Sequence, residues 1–326
     1  MKFSHIVSMT AAVLVASCAV PVHMPAAEDG PSPKSVTPHA TPVEATSFLG
    51  EPLKRRGVSE EKEARALQAL EKLDGGAVLS EEEFLELGAD IAAAGRYQDA
   101  IRAYSKGIEL HPGSYKLRRH RAHRFITTRQ LEKARHDLEN ASELISAQAA
   151  EEVLEFKGGE PHGTYSHWVN YHLGIYHYLD QDFDAAAREF ESCVETAADN
   201  DMLIGSVDWL YNAHLRNGDI EKAQAALELI SGSIQADESY PYYKRVMIYK
   251  GTLSAEEVVD LDKSDTWSGR DATVAYGLAS DMIASGKTDA AKEVLEDVLQ
   301  TPYWPIWAYV TAESDYAALT GGAYQQ

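Results

Sequence analysis

The most chemically distinctive stretch of this sequence is a basic segment near its middle. Tyr115–His136 holds eight Lys or Arg residues and one acidic residue, in a chain of 326 residues with a formal net charge of -21. At helical spacing, four of its side chains fall on one stripe: Lys116, Arg119, His120 and His123. A guanidinium beside an ammonium suits a carboxylate, because arginine donates two parallel hydrogen bonds to it. The segment therefore indicates binding of an acidic group.

Aromatic and polar side chains follow at similar spacing farther along the chain. One helical pattern carries Trp168, Tyr171 and His172. The next carries a second set: Asp208, Trp209, Asn212 and Arg216. Arginine, tryptophan and tyrosine dominate binding hot spots. If these helices lie side by side, a bound peptide is expected to place its acidic group by Arg119 and an apolar side chain between Trp168 and Trp209.

The histidines leave an enzymatic alternative open. His120, His123 and His172 could converge across two helices beside Trp209, and three imidazoles are the minimum for a catalytic zinc ion. The sequence has no HExxH motif or other metal spacing, and no serine nucleophile elbow, phosphate loop or paired-carboxylate motif. We therefore predict no enzymatic activity and no cofactor, with a metal-dependent hydrolase as the alternative.

Ordinary electrostatics could also account for the basic segment. A run of charges is usually a solvated helix face, and the acids of the preceding helical segment could neutralise Arg119. These acids are Glu81, Glu82, Glu83 and Glu86. Arg121 is predicted to pair with Asp137 on the following helix. A third possibility is a structural assembly subunit that uses its convex face or helix ends and leaves its groove idle.

A 34-residue period positions all of these residues. Five segments begin at Glu81, Tyr115, His167, Ile204 and Ala272, and each has an alanine at position 20: Ala100, Ala134, Ala186, Ala223 and Ala291. In three of them a glycine lies five residues earlier, at Gly95, Gly218 and Gly286. Small residues at fixed positions let two antiparallel helices approach closely. The pattern predicts an all-α fold, with Ile306–Leu319 as a closing helix over the last apolar face.

This period resembles that of the tetratricopeptide repeat (TPR) over about residues 81–319. The resemblance implies an α-solenoid, a right-handed superhelix whose first helices line a concave groove. It places a predicted partner-binding set in that groove: Lys116, Arg119, His120, His123, Trp168, Tyr171, His172, Asp208, Trp209, Asn212 and Arg216. TPR proteins bind peptides or protein surfaces and do not as a rule catalyse. Domains of the carboxylate-clamp kind carry Lys and Asn where this sequence has Arg119 and His123.

The beginning of the chain has features typical of an exported lipoprotein. Residues 1–17 contain one lysine and then an apolar run too short to span a bilayer. The run ends in Val15-Ala16-Ser17-Cys18, which resembles a bacterial lipobox and implies lipidation of Cys18; cleavage after Ala26 is the alternative. Residues 18–58 hold seven of the twelve prolines and no periodicity, which predicts a disordered tether before a folded part at 59–320.

Together the signal, the lipobox and the repeats resemble exported TPR lipoproteins of the NlpI type, in layout and in the stretch YKGTLSAEEV. Ala19 favours, by the same resemblance, the outer membrane, so we expect a non-enzymatic adaptor lipoprotein facing the periplasm with its lipid as the membrane contact. The acidic balance argues against general nucleic-acid binding, which needs a basic footprint. Once Cys18 is lipidated, Cys193 is the remaining cysteine, and it is predicted to be buried.

Overall fold

The computed structural model describes residues 42–231 and 234–322. Within these ranges the chain is predominantly helical, with thirteen α-helices, two short 3-10 helices and two small hairpins. The expectation of a helical fold with consecutive helix packing is confirmed at this level. The signal segment, Cys18 and residues 19–41 of the predicted tether lie outside the described residues.

Ten of the helices form five consecutive antiparallel pairs where the 34-residue period predicts them. The pairs are α2 (Glu81–Ala93) with α3 (Tyr97–Leu110), α4 (Tyr115–Thr127) with α5 (Leu131–Ala147), α6 (Tyr165–Leu179) with α7 (Phe183–Glu195), α8 (Asn200–Arg216) with α9 (Ile220–Leu227), and α11 (Gly269–Ala284) with α12 (Thr288–Gln300). Both helices of each pair pack on one another, and neighbouring pairs pack in chain order.

The remaining helices precede, interrupt or follow these pairs. They are α1 (Glu60–Asp74), α10 (Tyr240–Tyr249), the 3-10 helices Ala255–Glu257 and Leu261–Thr266, and α13 (Trp307–Thr320). α10 packs between α8 and α11 as a single first helix, because the following segment forms only 3-10 turns. This is the region where the repeat pattern decays in the sequence.

Local chemistry explains where the paired helices begin and turn. The Ser80 side chain accepts from the Glu83 backbone N–H, and the Glu83 carboxylate accepts from the Ser80 backbone N–H, forming the capping box that starts α2. The turn after α2 needs a left-handed residue, Gly95 at φ 71°. At the corresponding turn after α4 the left-handed residue is Arg129, at φ 63°. A non-glycine residue in this conformation is uncommon and requires support from its surroundings.

Glycine also lets the two helices of a pair approach each other. A Cβ placed on Gly88 would lie 2.2 Å from Cε1 of Tyr104, and one placed on Gly174 would lie 2.7 Å from the ring of Phe190. Each small residue on a first helix therefore receives a large aromatic ring from the second helix. This is the small-against-large packing that the period predicts.

α13 does more than close the last pair. It packs on α12 and α11 as predicted, and it also packs on α6. Its Glu313 and Asp315 are buried, and they bind Arg129 from the turn after α4 and Arg216 from the end of α8. Because α13 bridges helices from different pairs, it covers part of the inner face that the sequence predicts to be open.

The predicted boundary of the disordered tether at residue 58 is wrong. β1 (Val43–Thr46) and β2 (Pro52–Lys54) form an antiparallel hairpin whose apolar side chains pack against Trp304 and Tyr309. Glu44 pairs with Arg55, and its carboxylate accepts a hydrogen bond from the Gln98 backbone. Alternating buried and exposed residues over so few positions gave too weak a pattern to recognise among the prolines.

The second hairpin, β3 (Leu154–Lys157) and β4 (Glu160–Thr164), interrupts the repeats before α6, where a loop is predicted. Two further predictions are confirmed: Arg121 binds both carboxylate oxygens of Asp137 at 2.6 and 2.7 Å, and Cys193 is buried. None of the helices between residues 42 and 322 that the structure describes is both long and apolar enough to cross a membrane.

Candidate functional site

α4 and α6 lie side by side and bring the basic segment against an aromatic face. The guanidinium carbon of Arg119 lies 5.5 Å from the centroid of the Trp168 ring, a cation–π distance. One turn farther along, the His123 and His172 rings are 4.7 Å apart between centroids. The sequence predicts that these residues share a surface, and the packing of α4 on α6 brings them together.

Trp307, the first residue of α13, completes this group. Its ring lies 5.0 Å from that of His123 and 5.7 Å from that of His172. We call the whole group the Arg119 cluster; it consists of Arg119, His120, His123, Trp168, His172 and Trp307. Arg119 and His172 are buried, whereas the other four side chains are half-buried. The cluster therefore places a buried cation beneath partly exposed aromatic and imidazole rings.

Arg119 holds the imidazole of His120 in one form. Arg119 Nη1 lies 3.2 Å from His120 Nδ1. Because a guanidinium only donates, Nδ1 must accept, which leaves the His120 proton on Nε2. Burial, and then the positive charge of Arg119, hold the pKa of His120 well below its ordinary value. His120 is therefore a neutral donor beside a permanent cation.

His172 has the opposite arrangement. Its Nδ1 lies 2.6 Å from the backbone oxygen of Trp168 and donates to it, so Nε2 carries no proton. This Nε2 is buried and has no hydrogen-bond partner. Burial is the main cause that holds the pKa of His172 well below its ordinary value, followed by the charge of Arg119. A buried acceptor without a donor is costly, and such atoms often mark a binding site.

The guanidinium of Arg119 already forms an ion pair with a carboxylate of this chain. Glu155 of β3 places Oε2 3.1 Å from Arg119 Nε and Oε1 3.8 Å from His120 Nε2. Lys116, by contrast, pairs with Glu81 at 3.2 Å. The prediction that the acids of α2 neutralise Arg119 is therefore wrong: one of them holds Lys116 at the edge of the cluster, and the partner of Arg119 comes from the hairpin.

The second half of the predicted binding set does not face solvent. Trp209 is fully buried, and its indole donates to the hydroxyl of Tyr171, itself buried, over 2.9 Å. Asp208 and Asn212 are also fully buried. The prediction that these α8 side chains line an open groove is therefore wrong. The rings of Tyr242 and Tyr276, from α10 and α11, lie over Trp209.

Two of the predicted groove residues instead form buried ion pairs. Asp208 lies 3.0 Å from Arg245, with both side chains at most 1% exposed. Arg216 lies 2.9 Å from Asp315 of α13. Both pairs link α8 to later helices, and they lie in the core at the inner face. They are not available to a partner.

Sequence analysis missed two members of the site, Glu155 and Trp307. Trp307 lies just inside the predicted closing helix, and nothing in the repeat pattern indicates that this helix reaches α6. Glu155 lies between two apolar residues, Leu154 and Phe156, in the segment 149–166 that separates the second repeat from the third. The one available signal was that the segment 149–166 interrupts an otherwise regular period.

The Arg119 cluster combines one cation, Arg119, with three neutral imidazoles. Among the residues that the structure describes, no group of three or more His, Cys, Asp or Glu side chains is placed to hold a metal ion. The three neutral imidazoles of the cluster do not converge on a common point that could serve as a zinc site. His120, His123 and His172, the ligands that the hydrolase alternative needs, thus do not form such a group in the part of the chain that the structure describes.

Comparison with known proteins gives no assignment. No model of a known protein family matches the chain, and no curated protein is significantly similar to it. Function must therefore be argued from the fold and from the Arg119 cluster.

Proposed function

We propose that this protein is a non-enzymatic adaptor of the TPR type that captures a protein or peptide partner through an acidic group bound at the Arg119 cluster. The observation that carries the proposal is the surroundings of Arg119. Its guanidinium is buried beside Trp168 and already holds a carboxylate, that of Glu155. Arginine beside a tryptophan face is a common anchor for acidic groups in protein interfaces.

Several features of the fold support the TPR assignment. Five helix pairs follow one another at the predicted period, and their turns place a left-handed residue at one fixed position. The glycine-to-aromatic contacts of Gly88 and Gly174 occur at equivalent places in two pairs. A stack of such pairs makes an α-solenoid with a right-handed superhelical twist, whose first helices present the binding face.

The bound segment is shorter than the sequence alone predicts. Because Trp209 is buried, we place the partner's apolar group against Trp168 and Trp307. His120 donates to the same acidic group, and the free Nε2 of His172 accepts a donor, such as a backbone amide of the partner. The contact surface thus lies on α4, α6 and the start of α13.

We further propose that the adaptor acts at the bacterial cell envelope. The apolar run before Cys18 and the lipobox-like Val15-Ala16-Ser17-Cys18 support a lipid anchor on Cys18. The proline-rich residues that follow would hold the helical unit away from the membrane surface. The outer membrane, facing the periplasm, is the compartment that the residue after Cys18 favours.

Binding to three pools of amino-terminally blocked peptides tests this function. The first pool has a free carboxyl terminus and no acidic side chain, the second has an acidic side chain and an amidated terminus, and the third has neither. We expect the protein to bind the first or the second pool above the third. Arg119→Met should weaken this binding by about 30-fold, which corresponds to about 2 kcal/mol for a buried anchor.

Arg118→Met is the matched control, because Arg118 lies one position away on α4 and bonds to the backbone oxygen of Ser114. It should bind as wild type does. Equal loss in both variants would indicate diffuse charge. No preference for either acidic pool would contradict the proposal and favour the structural assembly subunit, for which the buried inner face of α8 is the supporting observation.

A further inference from the structure

In β3 of the hairpin β3–β4 a charged side chain is buried while its apolar neighbours are exposed. Glu155 is 5% exposed, whereas its apolar neighbours Leu154 and Phe156 are 43% and 59% exposed. The register of the hairpin shifts between Leu154 and Phe156, so that Glu155 lies at a bulge. A bulge re-aims a side chain, and here it accompanies a carboxylate that points inward. Burying a charge while exposing two apolar side chains opposes stability, and such conflicts are expected at functional sites.

The contact that Glu155 makes with Arg119 is imperfect. Oε2 and Nε are 3.1 Å apart, close enough for an ion pair. Both atoms are nevertheless buried without a hydrogen bond of good geometry. Burial raises the pKa of Glu155, and the charge of Arg119 only partly opposes this. Glu155 is therefore a carboxylate that gains less from Arg119 than a well-aligned, bidentate one would gain.

The other contacts of the hairpin are mainly with Trp168, on which the His162 ring stacks with a centroid distance of 4.6 Å. The Trp168 indole donates to the His162 backbone oxygen, and Tyr165 N donates to Val153 O over 2.9 Å. Lys157 pairs with Glu238, but both side chains are more than half exposed, and such pairs contribute about 0–1 kcal/mol. A two-stranded hairpin is marginally stable by itself. The ion pair with Arg119 is thus the main buried charge contact of this element.

We propose that β3–β4 is a lid whose Glu155 occupies the Arg119 cluster as an internal substitute for the partner's carboxylate, and that a partner binds by displacing it. This inference rests on the proposed function, since it assumes that an acidic group binds at Arg119. It adds that in the free protein Glu155 occupies the site at Arg119 to which the partner's carboxylate binds. The partner's apparent affinity is then lower than its intrinsic affinity, by the fraction of molecules in which the hairpin is open.

Displacement is favoured when the incoming carboxylate is better aligned than Glu155. An acidic group at the end of a flexible peptide can place two oxygens on the guanidinium fork, and its neighbouring side chain can cover Trp168. The displaced Glu155 regains solvent.

The test measures binding of the same three peptide pools by Glu155→Gln, with Glu160→Gln as the matched control. Glu160 is an exposed acid on the other strand of the hairpin. We expect Glu155→Gln to bind the preferred acidic pool about tenfold more tightly than wild type does, because the internal competitor is weakened. Glu160→Gln should bind as wild type does.

Hydrogen exchange gives the second measurement. The amides of Leu154–Thr164 should exchange faster in Glu155→Gln than in wild type, and faster in wild type when the acidic pool is added. Lys157→Ala loosens the hairpin without touching the cluster, so it should also tighten binding, though by less. The exchange measurement on wild type, with and without the acidic pool, keeps the test decisive if Glu155→Gln fails to fold, as judged by circular dichroism.

The outcomes separate the two proposals. If wild type prefers an acidic pool and both hairpin variants bind it with unchanged affinity, the lid is refuted while the adaptor function stands. If neither wild type nor any variant prefers an acidic pool, the adaptor function fails and the lid fails with it. Slower hairpin exchange on peptide addition would also refute the lid, because it would mean that the partner binds the closed form.

Discussion

Arg129 donates from Nε and Nη2 to the two carboxylate oxygens of Glu313, over 3.0 and 2.8 Å, although 184 positions separate the residues. Both side chains are at most 3% exposed. The backbone N–H of Phe48 donates to the same carboxylate. One buried carboxylate on α13 thus joins the turn after α4 to the segment between β1 and β2.

Replacing Arg129 by glycine distinguishes the strain in the Arg129 backbone from the stabilisation that its side chain gives through Glu313. Glycine relieves a left-handed conformation that costs about 1–2 kcal/mol, but it leaves the buried Glu313 without its cation, at about 3–5 kcal/mol. We expect Arg129→Gly to lower the free energy of unfolding by about 1–4 kcal/mol, as measured by urea denaturation.

The double variant Arg129→Gly with Glu313→Gln is the control. It removes the uncompensated charge and keeps the relaxed turn, so it should recover part of the loss. A single variant more stable than wild type by about 1–2 kcal/mol would mean that the ion pair contributes nothing and that relief of the turn alone decides the balance.

This turn shows how far sequence could predict the fold. The period puts glycine five residues before the shared alanine in three segments, and Arg129 and Gln181 take the same place in the other two. Both are left-handed, at φ 63° and 64°, and both bind acidic residues of α13. The period predicted the turns, but their partner on α13 was invisible because it depends on a contact between distant repeats.

Helix pairing makes a prediction with an internal control. Gly174→Ala should destabilise the protein by about 1–3 kcal/mol, because the added methyl meets the Phe190 ring at 2.7 Å. Gly205 is also in the middle of a first helix, and a Cβ there meets only Ser239 Oγ, at 3.6 Å. Gly205→Ala should therefore stabilise by about 0.5–1 kcal/mol, through helix propensity.

Thermal and urea unfolding of the two variants give the comparison directly. If both glycine substitutions stabilise the protein, the close approach of α6 and α7 is not rigid, and the small-against-large packing argument fails for this pair.

The buried pair of Asp208 and Arg245 predicts a pH dependence. Burial raises the pKa of Asp208 to about 7, with Arg245 opposing the rise. Arg245→Leu removes that opposition, so the folded-state pKa stays well above its unfolded value of about 3.9. The contribution of protonated Asp208 to stability is complete below the unfolded pKa and is lost as pH rises through the folded pKa. Arg245→Leu should therefore lose stability relative to wild type as pH rises above about 7, the folded-state pKa of Asp208 in wild type, and the difference should be constant from about pH 7 down to pH 5.

Adding Asp208→Asn to Arg245→Leu should remove this pH dependence, since the titrating group is gone. A difference in stability between Arg245→Leu and wild type that does not vary with pH would contradict the burial argument.

The same residues show where helical spacing alone gave the wrong prediction. Helical spacing correctly put Asp208 and Trp209 on the inner face of α8, but α10 lies in the segment where the period decays, so its packing over them could not be predicted.

The lipid anchor has its own test. Cys18→Ala should move the protein from the membrane fraction to the soluble fraction, because a thioether-linked lipid can no longer form there. Cell fractionation with immunodetection measures this, and Cys193→Ala is the control, since Cys193 is buried in the helical unit. Membrane retention of Cys18→Ala would end the lipoprotein proposal.

The imidazoles of the Arg119 cluster should not act as a pH switch. Burial and the charges of Arg119 and Arg124 hold the pKa values of His120, His123 and His172 well below the ordinary value. All three are then neutral from pH 8 down to about pH 6.5, the pH at which an ordinary histidine is half protonated. Binding of the acidic peptide pool should be constant over this range, because Arg119 supplies the positive charge at every pH.

The same depressed pKa values set the sign of a stability effect. Below about pH 6.5 these three histidines bind protons in the unfolded chain but stay neutral in the folded protein. The free energy of unfolding should therefore fall as pH falls towards the folded pKa values. Titration of the imidazole Cε1 protons by NMR, in the folded protein and in urea, tests both statements. If any of the three histidines has a pKa in the folded protein at or above its pKa in urea, water reaches the cluster more freely than its contacts indicate. A protonated imidazole would then share the partner's carboxylate with Arg119, and binding would strengthen as pH falls.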